Sequence, residues 1–79
     1  MNRRGMIEGH LALAEQHVTA GERCIAQQRI RAAILQRDGH DITQSLLLLG
    51  QFQELQELHL TDRDRLRGEL NALKLARTR

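Results

Sequence analysis

Proline, tyrosine and tryptophan are absent from this 79-residue chain, and cysteine and phenylalanine occur once each, as Cys24 and Phe52. Without proline, only glycine remains to interrupt a helix. A single cysteine forbids an intrachain disulfide and excludes a disulfide-stapled fold. A single aromatic residue provides no platform for stacking nucleic-acid bases. The longest apolar run, Leu46 to Leu49, is far shorter than the about 20 residues of a membrane span. Neither sign of charge dominates: 12 basic and 10 acidic groups leave a net +2, a balance too interspersed for disorder. There is no glycine-rich phosphate loop, no serine nucleophile elbow and no carboxylate pair in a plausible cleft, so enzymatic activity is not expected. The basic N-terminus is not followed by an apolar core of signal-peptide length, so a cytoplasmic location is expected.

Two heptad stripes are present. Ile7, Leu11, Ala14, Val18, Gly21, Ile25, Gln28, Ala32 and Leu35 recur in alternating steps of four and three. Ser45, Leu48, Phe52, Leu55, His59, Asp62, Leu66, Glu69 and Leu73 do so in the opposite order. Such steps keep one side of a helix turned toward a partner helix. Between the stripes lies Asp38-Gly39-His40-Asp41. Gly39 suits the left-handed residue after a helix, and Asp41 suits the N-cap of the next, with Gln44 as capping-box partner. The spacing therefore predicts one all-α domain over residues 1–79. It is an antiparallel hairpin with helices over about 6–37 and 42–76 and a turn at 38–41. With the turn centred near residue 40, facing residues have numbers summing to about 80, which sets Gly21 opposite His59.

Apolar residues continue beyond the seam. Leu13, Ala20 and Ile34 form a second line on the first helix, and Leu46, Leu49, Leu58, Leu60 and Leu70 widen the apolar face of the second. One hairpin cannot cover all of these. Two hairpins packed as a four-helix bundle can, so the expected partner is a second copy, as a homodimer, or else another helical protein. The same bundle takes up the apolar surface that a membrane-bound helix would need, and no membrane partner is expected. Gly50 and Gly68 lie outside the main stripe, and nothing in a single hairpin explains them.

The runs Gly21-Glu22-Arg23, Arg37-Asp38-Gly39-His40-Asp41 and Asp62-Arg63-Asp64-Arg65-Leu66 resemble those of a group of small bacterial helical-hairpin proteins to which no activity is attached. The likeness covers about residues 10–70. It implies a bacterial, stand-alone hairpin and carries no functional residue with it.

Among chemically capable side chains, His10, His17 and Cys24 recur every seven residues. That spacing sets them roughly 10 Å apart along a helix, too far for one zinc ion with ligands at about 2 Å. Pairing across the hairpin can gather His17, His59 and Asp62. The expected outcome there is a polar layer that fixes register, with Gln28 and Asp62 as the seam's polar members, and neither metal nor cofactor is expected. Cys24 reads as a small hydrophobe at a helix interface. The expected function is a non-enzymatic interaction, scaffolding or regulatory module. The alternative is weak, non-specific nucleic-acid binding through a basic patch at the open end of the hairpin, formed by Arg3, Arg4, Lys74, Arg77 and Arg79.

Overall fold

The computed structural model describes residues 2–77, with side chains through residue 76. Two helices of 35 residues each, α1 (Arg3–Arg37) and α2 (Thr43–Arg77), pack as an antiparallel hairpin, and there is no strand among the described residues. The hairpin measures 63 × 16 × 15 Å. Neither helix is long and apolar enough to cross a membrane.

The helix ends follow from local chemistry. α1 begins three residues earlier than its apolar periodicity indicates because Asn2 caps it. Its backbone is extended, and its side-chain oxygen accepts the Gly5 N–H at 2.7 Å. This satisfies one of the free donors of the first turn. At the other end, the Gly39 N–H donates to the Gln36 carbonyl at 3.1 Å and the His40 N–H to the Leu35 carbonyl at 2.9 Å. These are the two bonds of a Schellman cap. It requires a left-handed residue, and Gly39 supplies it at φ 81°. Asp41 then opens α2. Its carboxylate accepts from the Thr43 N–H at 3.0 Å and from the Thr43 hydroxyl at 2.7 Å. The Thr43 hydroxyl, not Gln44, completes this cap.

The seam on α1 follows the expected stripe: Ile7, Ala14, Val18, Gln28 and Ala32 are buried. On α2 it departs from it. The most covered residues there step through Ser45, Leu49, Phe52, Gln56, His59, Arg63, Leu66, Leu70 and Leu73. The four-and-three alternation is kept, but its phase is exchanged. Leu48, Leu55 and Asp62, expected in the seam, are exposed, and Glu69 gives way to the buried Leu70. The physical reason is the cost of desolvating a carboxylate. A seam through Asp62 and Glu69 would bury two of them. The rotated helix buries Gln56 and Leu70 instead, and leaves both acids to pair with Arg65 at 2.8 and 3.0 Å.

One expected pairing changes as well: Gly21 faces Gln56 rather than His59, and His59 faces His17.

Packing divides along the hairpin. At the open end Ile7, Ala14, Leu66 and Leu70 form an apolar cluster, flanked by Leu11 and Leu73. Further along, two glutamines link the helices reciprocally. Gln56 Nε2 donates to the Val18 carbonyl of α1 at 2.9 Å, and Gln28 Nε2 donates to the Ser45 carbonyl of α2 at 3.0 Å. Gly21 is what lets Gln56 come so close. A Cβ there would overlap the Gln56 amide oxygen and lie 2.7 Å from its carbon. One cross-helix ion pair, Arg67 with Glu15 at 3.6 Å, lies on the surface, where such pairs contribute little.

Candidate functional site

The two broad faces of the hairpin differ in chemistry. One carries three clefts in line. Nearest the turn, Gln28, Arg31, Ile34, Leu35, Ser45 and Leu48 line the first. In the middle, His17, Ala20, Gly21, Cys24, Phe52, Leu55 and His59 enclose about 170 Å³. Toward the open end, His10, Leu13, Ala14, His17, Asp62, Arg65 and Leu66 line the third. Residues seven apart drift only about 20° around a helix, which explains the alignment. Leu13, Ala20 and Ile34 belong to one such line on α1, and Leu48, Leu55 and Asp62 to another on α2. The opposite face is charged at the same level: Glu15, Val18, Thr19, Glu22, Arg63 and Arg67 surround its cleft.

The apolar residues singled out from the sequence therefore divide into three groups. Leu13, Ala20 and Ile34 line the apolar face, and Leu58, seven residues from Arg65, lies along its edge. Leu46 and Leu60 share the heptad line of Arg67, which puts both toward the other face, whereas Leu49 lies on the seam line of Gln56 and Leu70. Leu70 is withdrawn from the surface altogether, since it is part of the hairpin's own core. Leu48 and Leu55 join the apolar face in exchange, Leu55 with half its surface exposed and Leu58 with 68%. Their appearance there follows directly from the rotated phase of α2.

The polar cluster forms in part. The imidazoles of His17 and His59 approach to 5.2 Å between ring centroids, tilted by 42°. Asp62 does not join them in the seam but turns to Arg65 at 2.8 Å. Among the described residues no group of three His, Cys, Asp or Glu side chains comes close enough to hold a metal ion. Cys24 is a free, exposed thiol on the wall of the middle cleft. The seam's second polar member is Gln56 rather than Asp62. It is 7% exposed, and its Oε1 has no hydrogen-bond donor.

Of the basic patch, Arg3 and Lys74 are exposed, while Arg4 is paired with Glu8 at 3.3 Å. The Arg77 side chain and Arg79 lie outside the described residues. No family model, no curated protein and no solved structure matches the chain.

Proposed function

We propose that this protein is a self-associating helical module, in which two hairpins pair through their apolar faces as a homodimeric four-helix bundle. Its role on this reading is scaffolding or regulatory rather than catalytic, in the bacterial cytoplasm.

The observation that carries the proposal is surplus surface together with a continuous apolar face. The hairpin exposes 6,165 Å², whereas a compact monomer of 9.1 kDa exposes about 4,900 Å². A face 63 Å long and 16 Å wide offers roughly 1,000 Å² per copy, above the roughly 800 Å² per partner of a stable interface. Leu13, Ile34, Leu48, Leu55 and Leu58 stand exposed on it or along its edge, and each leucine gains about 1.5–3 kcal/mol on full burial. The other face, with Glu15, Glu22, Arg63 and Arg67, stays in water at mid-length.

Sedimentation equilibrium tests the reading. The wild type should be a dimer at micromolar concentration. Leu55→Glu with Leu58→Glu should be monomeric, because both substitutions would bury a carboxylate in the interface while leaving the hairpin seam untouched. A folded, stable wild-type monomer at micromolar concentration would refute the proposal.

A further inference from the structure

The histidine pair sits in the one place where self-association multiplies it. α1 spans residues 3–37 and α2 spans 43–77, so their midpoints fall near residues 20 and 60. His59 is adjacent to the second midpoint, and His17 is about 4.5 Å along the axis from the first. Both histidines line the middle cleft of the apolar face.

Any two-fold dimer that overlaps these faces fully brings the pair against its own symmetry mate. If the axis runs along the hairpin, each level meets the same level. If it lies in the interface but runs across the hairpin, full overlap requires it to pass through the middle, and the middle meets the middle. Four imidazoles then converge in either arrangement.

The pair is already spaced for ligation. A transition metal about 2.0–2.1 Å from an imidazole nitrogen lies about 3.2 Å from the ring centre. At a tetrahedral angle, two such rings have centroids about 5.2 Å apart. The observed separation is 5.2 Å. The remaining ligands are not found within one chain: no third His, Cys, Asp or Glu among the described residues completes the set.

We propose that His17 and His59 form half of a tetrahedral divalent transition-metal site, completed by the same two histidines of a second copy. Imidazole nitrogens suit zinc and its neighbours and exclude magnesium and calcium, which take oxygen ligands. Asp62, on the rim of the adjoining cleft with His17, is already paired with Arg65 at 2.8 Å and is not counted as a ligand. The site rests on the proposed dimer. It gives that dimer a ligand-dependent association constant, since an ion bound only by paired copies stabilises the pair by mass action.

The test combines metal titration with sedimentation equilibrium on the full chain, first in chelator and then with Zn²⁺ or Co²⁺. The expected result is one ion per two chains and the visible absorption of tetrahedral Co²⁺. Dimerisation should also be tighter with metal than in chelator. His17→Ala and His59→Ala should each weaken binding by at least about 100-fold, whereas His10→Ala, outside the pair, should leave it unchanged. Retained helicity of the variants establishes that the hairpin itself persists. One ion per chain, or binding equally lost in His10→Ala, overturns the shared site. So does a metal-free dimer that takes up no ion, an outcome that leaves the dimer standing. A monomer both with and without metal overturns the dimer and the site together.

Discussion

Replacing Gly21 by alanine sets two effects of opposite sign against each other. Within a helix, alanine is favoured over glycine by about 1 kcal/mol. At Gly21 the new methyl group would occupy the space of the Gln56 amide, whose carbon lies 2.7 Å from the ideal Cβ position. The glutamine must swing away. It then gives up its 2.9 Å bond to the Val18 carbonyl, worth about 0.5–1.5 kcal/mol net. Its amide must also find water from a position only 7% exposed, and a stranded buried amide costs about 1–3 kcal/mol more. The loss exceeds the propensity gain, and Gly21→Ala should destabilise the hairpin by about 1–2 kcal/mol. Thermal unfolding followed by circular dichroism reads this as a lowered midpoint, by about 4–8 °C per kcal/mol for a chain of this size. All variants are compared at one protein concentration, because association shifts the midpoint. The Gln56→Ala background supplies the internal control. With the amide removed, Gly21→Ala should stabilise by about 1 kcal/mol. A rise in midpoint on Gly21→Ala alone would refute the close approach of Gln56 and, with it, the register.

The other helix-interior glycines provide a contrast. A Cβ at Gly9, Gly50 or Gly68 would meet nothing within 4 Å, so alanine at each should raise stability by about 0.5–1 kcal/mol in urea unfolding. If Gly50→Ala or Gly68→Ala weakens the dimer instead, that position is an interface contact. Asp41 predicts an acid response. Bonds from the Thr43 hydroxyl and then the Thr43 N–H hold its carboxyl below the ordinary carboxylate range. A depressed folded pKa contributes stability that is present above the unfolded value and is lost as pH falls through the folded one. Asp41→Asn, which keeps a cap but cannot titrate, should therefore shallow the loss of stability below the ordinary carboxylate range; an unchanged acid limb would show that Asp41 contributes nothing to it. Nucleic-acid binding should be weak at physiological salt, since Arg4 is already paired with Glu8. Salt-sensitive retention of a DNA duplex, with a log–log slope near −0.9 per neutralised phosphate, would restore the basic-patch reading. Loss of that slope when Arg3, Arg4, Lys74, Arg77 and Arg79 become glutamine would assign it to the open end.

The turn was legible in the sequence because its chemistry is local. Gly39 and Asp41 act through bonds to residues no more than three positions away, and each has few conformational roles open to it. Helix α1 was legible for a related reason. Its flanking lines carry His10, His17 and Cys24 on one side and Glu8, Glu15 and Glu22 on the other, so only one phase gives an apolar seam. The start of α1 was missed because Asn2, as N-cap, lies upstream of the first apolar residue of the stripe, and periodicity cannot see a cap.

On α2 the periodicity has two solutions. Leu48 and Leu49, Leu55 and Gln56, and Glu69 and Leu70 are neighbours in sequence, and either member of each pair continues a four-and-three stripe. Hydrophobic count alone does not decide, since the line through Leu48 and Leu55 and the line through Leu49 and Leu70 hold two leucines each. The charges decide: the first phase would carry Asp62 and Glu69 into the seam, and burying two carboxylates is costly. Choosing between phases thus required the charges to be compared along the whole line. The displaced leucines are what make the apolar face continuous, because Leu48 and Leu55 leave the seam only to line its clefts. The exchange that keeps two acids in water also turns His59 toward the face that His17 lines. The solvation of Asp62 and Glu69 thereby links the fold of one hairpin to the surface on which a second copy would dock.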